Sequence, residues 1–264
     1  MSALHIEVRG NGPTVALLHG WGLNLRVWDG LAGVLSERFR IVAVDLPGHG
    51  RSEWLPERSS LAGQADQVHE AVSAIAGTYS LLGWSLGGQI ALQLAAAPGT
   101  AAAIDRLVLI AATPRLSSGP DWPHGTAPQR LAEQEAALRT DYHRTVGDFL
   151  ELQVRGSACG EAALAQLRAA LFAHGEARPQ ALARGLALLR EDDLRPLLGA
   201  IAQPALVIAG QYDRVTLPAA SQALAEGLAD ARFIEIRRAA HAPFLSHLTQ
   251  VSMLLREFLL CASA

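Results

Sequence analysis

The chain contains no lysine: all 22 of its basic residues are arginine. That excludes Schiff-base chemistry, a pyridoxal-phosphate anchor and a phosphate loop built on lysine. Cysteine is almost as scarce, with only Cys159 and Cys261 among 264 residues. One disulfide between them is arithmetically possible, but a disulfide scaffold and a Cys-rich four-ligand zinc site are excluded. Neither sign of charge dominates. Against 25 acidic residues the formal net charge is −3, with no basic block, which argues against a nucleic-acid partner. Long hydrophobic runs are missing too. Every apolar stretch is broken by Arg, Asp or Gly well short of a membrane span, and Met1 to Glu7 has no basic segment leading into an apolar one. The expectation is a soluble cytoplasmic protein with no membrane partner.

What the sequence does have is apolar material: half of its residues, with 18% charged. This excludes disorder and suffices for a sizeable core. Short β-rich apolar runs recur at Thr14 to Leu18, Arg40 to Val44, Tyr79 to Gly83, Leu107 to Ala111, Ala205 to Ala209 and Arg232 to Ile236. Helical patterns separate several of them, so the spacing predicts an α/β fold with a parallel sheet covered on both faces. Leu4 to Val8 alternates weakly and reads as an antiparallel edge strand. Between Pro114 and Pro196 the strands stop. Turn formers open the segment, and helical patterns follow at Leu131 to Leu138, Val146 to Val154, Ala162 to Phe172 and Leu182 to Leu189. A single crossover rarely needs so many residues. We therefore divide the chain into an α/β core of residues 1–113 and 196–264 and a helical lid of residues 114–195.

Gly83-Trp84-Ser85-Leu86-Gly87 matches G-x-S-x-G and lies between an apolar run and a helical pattern. That strand–turn–helix setting is the one a nucleophile elbow requires, and it makes Ser85 the candidate nucleophile. The bland alternative is a glycine-rich turn with an incidental serine. A serine hydroxyl needs a base. Of nine histidines, His241 follows the last predicted strand, at the sheet edge where α/β folds place reactive groups. His247 reads as solvated, and His49 and His69 as surface or supporting residues. Asp213 follows the run Ala205 to Ala209 and can orient the base; its alternative is a turn-forming aspartate. Asp105 precedes its strand and so lies at the wrong end. The order Ser85, Asp213, His241 is that of the hydrolases with an elbow. A tetrahedral intermediate needs two donors: the backbone N–H of Leu86, and that of Trp21 in His19-Gly20-Trp21-Gly22, directly after a buried strand. Asp45 to Ser52 (DLPGHGRS) reads as a rigid turn beside the site.

Together these motifs resemble the α/β-hydrolase fold, in family order. A narrower resemblance rests on His19-Gly20-Trp21-Gly22-Leu23-Asn24 with Val27-Trp28, on Leu82-Gly83-Trp84-Ser85-Leu86-Gly87-Gly88, and on Ala239-Ala240-His241-Ala242-Pro243-Phe244. These are similar to the carboxylesterases of the biotin pathway, and the similarity runs from about residue 5 to residue 255. It implies hydrolysis of the methyl ester of a pimeloyl chain held on acyl carrier protein, with neither metal nor organic cofactor. Phe149, Leu150, Glu151, Leu152 and Gln153 look like the lid helix that contacts substrate, beside Trp21, Ser85, Leu86 and His241. Arg144, Arg155 and Arg168 are the candidates for docking the acidic carrier. The sequence departs from the family at Asp148 and Glu161, where the resemblance leads one to expect arginine. The open alternatives are a general short-chain carboxylesterase, lactonase or C–C hydrolase on the same residues, and a non-catalytic ligand-binding member of the fold.

Overall fold

The computed structural model describes residues 4–260. Cys261, and with it any bond to Cys159, lies outside the described residues; Cys159 is exposed with a free thiol. The apolar runs become β1 (Ile6–Arg9), β2 (Thr14–Leu18), β3 (Arg40–Val44), β4 (Tyr79–Trp84), β5 (Ile104–Ile110), β6 (Ala205–Gly210) and β7 (Ala231–Ile236). They form one seven-stranded sheet in the order β1-β3-β2-β4-β5-β6-β7. Only β1 is antiparallel, pairing Ile6 with Val44 of β3. β5 starts three residues before its apolar run because Ile104, itself buried, pairs with Tyr79 of β4.

The helices are α1 (Asp29–Leu35), α2 (Leu61–Ser73), α3 (Leu86–Ala96), α4 (Pro128–Thr140), α5 (Tyr142–Val154), α6 (Gly160–Ala173), α7 (Pro179–Glu191), α8 (Pro218–Gly227), α9 (Pro243–Ser246) and α10 (Leu248–Leu260). Proline opens α4, α7, α8 and α9, where its missing N–H has no helical partner to lose. Side-chain oxygens of Ser60 and Asp141 cap α2 and α5 by accepting from the N–H of Gly63 and Arg144.

Successive strand residues point to opposite faces, so the sheet separates two cores. Val15, Leu17, Ile41, Leu82 and Val108 pack with α1 and α10. Ala16, Leu18, Val42, Leu81 and Leu109 pack with α2, α3 and α8. Residues between β5 and β6 hold α4 to α7 and no strand, only isolated bridges such as Ser117 to Thr126. Their apolar faces, including Leu131, Val146, Leu150, Leu167 and Leu182, continue the α1/α10 core above the sheet's carboxyl edge. Among the described residues, no helix is long and apolar enough to cross a membrane.

Leu109 is fully enclosed in β5. Leu109→Ala should cost about 2–5 kcal/mol of unfolding free energy, measured as a lower urea midpoint at unchanged slope.

Candidate active site

The turn from β4 to α3 brings Gly83 and Gly87 together so closely that a Cβ on either would collide with backbone: Gly87's carbonyl from Gly83, and the carbonyls of Leu18 and His19 from Gly87. Between them Ser85 is forced to φ 56°, ψ −116°. That is a left-handed φ which L residues avoid, and it lifts the side chain out of the turn. Ser85 lines a cavity that opens onto about 690 Å³ of unfilled space. The Leu86 N–H is the first of α3, one the helix itself cannot pair. Among the described residues no carbonyl accepts from it or from the Trp21 N–H. Both stay available to an oxyanion.

The loops after β6 and β7 bring Asp213 and His241 together, both buried. His241 Nδ1 donates to Asp213 Oδ2 at 2.8 Å. The other carboxylate oxygen accepts from the N–H groups of Val215 and Thr216 at 2.8 and 2.9 Å. Asp213 is thus fixed on three sides and fixes the imidazole in turn. His241 Nε2 makes no hydrogen bond within the protein, which leaves its lone pair for a proton. The His241 backbone is clamped as well. Its N–H donates to the Gln153 carbonyl at 2.9 Å, and its carbonyl accepts from Trp84 Nε1 at 2.9 Å. The Trp84 ring also lies 5.6 Å from the His241 ring, tilted against it, and edge-on to Phe244. The residue before the serine therefore holds the histidine loop, a role its place in the motif did not reveal.

Apolar side chains from three helices line the cavity: Leu131 of α4, Phe149 and Leu152 of α5, and Leu186 and Leu189 of α7. Trp21 forms the facing wall. Its ring meets Phe149 edge-on at 5.2 Å, and its Nε1 donates to the Leu182 carbonyl of α7 at 2.9 Å. Of the five residues 149–153, then, Phe149 and Leu152 face the cavity. Leu150 turns into the core. Glu151 points outward to Arg168, 3.0 Å away. Gln153 is buried and reaches the site through its backbone carbonyl. Helical spacing puts 149, 152 and 153 on one side and turns 150 and 151 away; of those three, only Phe149 and Leu152 line the cavity. Of the five side chains expected to contact substrate, Phe149 and Leu152 line the Ser85 cavity, and Glu151 joins them in the groove beside it. Sequence reasoning had no signal for Gln89, Thr113, Arg130 or Thr216, which also line the cavity.

The candidate docking arginines separate in the same way. Arg144 faces Asp148 at 3.8 Å and Arg168 faces Glu151, so the acid at 148 neutralises a neighbour instead of extending a basic face. Glu161 sits in the first turn of α6, where it favours the helix dipole. Arg155, with no ion-pair partner among the described residues, lines a groove between α4 and α5 together with Arg130. That groove shares Arg130, Gln134, Phe149 and Leu152 with the Ser85 cavity.

Beneath the Trp21 loop lies a polar interior. His19 Nε2 accepts from the Leu46 N–H at 2.9 Å, so its Nδ1 donates to the Gly20 carbonyl. Asp45 accepts from the N–H groups of Leu25 and Arg51, making the Asp45 to Ser52 turn the structural element its proline and two glycines suggest. His49, expected at the surface or as a supporting residue, is sealed beside His19. Burial and the neighbouring His19 push it down to about 3. Burial likewise lowers His19 against the opposing pull of Asp45 and the Gly20 carbonyl. His69 is half-buried on the Tyr79 hydroxyl, and His247 contacts Ser246. Asp105 lies at the amino end of β5, away from the site.

A half-buried serine that lines a cavity from a strained turn, an oriented imidazole with a free nitrogen, and two open N–H groups are the parts of acyl-transfer chemistry. A model of the α/β hydrolase fold matches residues 13–248. The chain belongs to the α/β-hydrolase family. It is 40% identical over 248 residues to the pimeloyl-[acyl-carrier protein] methyl ester esterase of Nitrosomonas europaea, covering 93% of this chain and 95% of that one. It is 39% identical over 262 residues to the protein of the same name from Stenotrophomonas maltophilia, covering 98% of each. Among solved structures, the esterase EaEST from Exiguobacterium antarcticum matches with a TM-score of 0.89 over 97% of this chain and 94% of that one; at 22% identity this is a likeness of fold. A hydrolase from Pseudomonas aeruginosa PA01 matches with a TM-score of 0.81 at 29% identity, covering 98% and 94%.

Trp84→Phe keeps the ring and removes the hydrogen bond to the His241 carbonyl. Ester hydrolysis should fall about 10- to 100-fold in kcat with a smaller change in KM; an unaltered kcat would mean the loop is held without that bond. His49 carries a pH signature. Above its ordinary value of 6.5 both folded and unfolded forms are neutral. Between 6.5 and about 3 the unfolded chain binds a proton that the native one refuses. Stability therefore falls with falling pH, by up to roughly 1.4 kcal/mol per pH unit. Urea midpoints of His49→Asn at pH 7.5 and 5.5 should differ less than those of the wild type.

Proposed function

We propose that this chain is the esterase that hydrolyses the methyl ester of pimeloyl-[acyl-carrier protein], giving methanol and a free distal carboxylate in the cytoplasm. The observations that carry the reading are the oriented Asp213–His241 pair and a Ser85 on a strained turn that lines a cavity walled by apolar side chains, in a chain whose relatives at 40% identity bear that name. In this reading residues 1–113 and 196–264 are the catalytic core and residues 114–195 the lid.

Ser85 Oγ attacks the methyl ester carbonyl while His241 Nε2 takes its proton. Asp213 keeps the imidazole in the tautomer with Nε2 free and stabilises the imidazolium. The N–H groups of Trp21 and Leu86 hold the oxyanion. Collapse transfers the proton from His241 to the departing methoxy group, and methanol leaves an ester on Ser85. Water, deprotonated by His241, then attacks the acyl carbonyl, and Ser85 departs with that proton. Because the reacting ester is the end distal to the carrier, the methylene chain runs outward past Phe149, Leu152 and Leu131. Its thioester end emerges in the groove between α4 and α5.

The carrier docks there. Of the three arginines the sequence offered, Arg155 is the one left to meet an acidic partner, and Arg130 joins it. Docking charges act mainly on encounter rate and are screened by salt.

Ser85→Ala should lower hydrolysis of the carrier-bound ester by up to about a million-fold. Arg155→Glu should lower kcat/KM for the carrier-bound ester several-fold and for p-nitrophenyl acetate by less, and the difference should shrink in high salt. Equal losses on both esters would indicate a damaged lid. An enzyme fast on p-nitrophenyl acetate and idle on the carrier-bound ester would be a general esterase.

A further inference from the structure

His5 precedes β1, Glu7 lies within it, and His174 follows α6. One ligand atom from each lies within 4.8 Å of the others. Glu7 Oε1 is 3.7 Å from the Nε2 of His5 and 3.7 Å from the Nε2 of His174. An ion bound tetrahedrally at about 2.0–2.2 Å holds its ligand atoms about 3.3–3.6 Å apart, so the two Glu7–histidine distances are already close to that spacing and the two imidazoles need only draw together from within 4.8 Å. None of the three residues lines the Ser85 cavity.

Two further observations concern the surroundings. His5 Nε2 is sealed from solvent and makes no hydrogen bond, a costly position for a polar nitrogen. His174 Nδ1 lies 3.2 Å from Oδ2 of the fully buried Asp45. An imidazole that donates one nitrogen to a carboxylate turns the other, as a lone pair, toward its opposite side; metal-binding histidines are held in this way. The backbone of His5 is fixed as well, its N–H donating to Ser52 Oγ and its carbonyl accepting from Asp45. Arg26 occupies the other Glu7 oxygen, Oε2, and is itself 3.4 Å from Asp29, so Glu7 offers a single oxygen. Two imidazole nitrogens and one carboxylate oxygen suit a borderline-soft transition ion more than magnesium or calcium.

We propose that His5, Glu7 and His174 bind a divalent transition ion of the zinc type, which ties the loop after α6 to the edge strand of the sheet. Three protein ligands leave one coordination position for water. The ion is structural and stands apart from the ester chemistry, so the site is tested without reference to hydrolysis.

The experiment is a titration of the metal-free protein with Zn²⁺ against a chromogenic chelator. Co²⁺ absorption reports the coordination, and a thermal melt is recorded at each metal level. One ion should bind per chain, and saturation should raise the melting temperature by about 5 °C. His5→Ala, Glu7→Gln and His174→Asn should each weaken binding more than about tenfold and abolish the shift in melting temperature. His241→Ala, which removes the buried histidine of the ester site, should bind as the wild type does. Circular dichroism identifies any variant that fails to fold, and the remaining two then decide. Absence of stoichiometric binding, or binding that persists in all folded variants of the three ligands, overturns the proposal. So does binding lost only in His241→Ala.

Discussion

The site depends on how one residue's backbone is held. His241 lies in a loop with no regular structure of its own, yet its N–H and carbonyl are both engaged. The carbonyl at the end of the lid helix takes one, and the indole of the residue before the serine takes the other. The same residue's ring is anchored through Asp213, whose second oxygen is spent on two backbone donors. An imidazole pinned through main chain and ring has little freedom left to lose when it accepts a proton, which is the preorganisation that acyl transfer uses.

That arrangement couples α5 to the Asp213–His241 pair. Gln153 supplies a carbonyl to His241, and one turn earlier Phe149 meets Trp21, whose own N–H donates to no backbone carbonyl among the described residues. A shift of α5 would therefore move the base, the wall of the pocket and the loop that carries one donor. Trp21 is tied to α7 as well, through the Leu182 carbonyl. Helices α5 and α7 are thus supports of the site as well as walls of its cavity.

On the far side of the Trp21 loop, the protein keeps polar groups inside its core. His19 uses both ring nitrogens on backbone partners, and Asp45 gathers N–H groups from two segments. Each group is satisfied in its neutral or ionised form as it stands, which lets the HGWG loop and the turn after β3 be rigid without regular structure. The same Asp45 reaches His174 and so joins this interior to the loop after α6.

Six apolar runs, one weak edge strand and the G-x-S-x-G turn in its strand–helix setting were legible in the chain, because a parallel sheet buried on both faces demands continuous apolar strands and an elbow demands its glycines. Asp213 and His241 were legible from position alone, each following a strand at the carboxyl edge. The helices of residues 128–191 were legible too, from their 3.6-residue period. The facing of individual side chains was not. Period alone could not say that Leu150 turns inward, that Glu151 and Asp148 take up Arg168 and Arg144, or that His49 is sealed within the core. Nor could spacing bring His174 to His5 and Glu7, which are 169 and 167 residues away in the chain. Local sequence fixes which strand or turn a residue belongs to, through propensity and period; which neighbour it meets is decided by packing between segments distant in sequence, and that exists only in the folded chain.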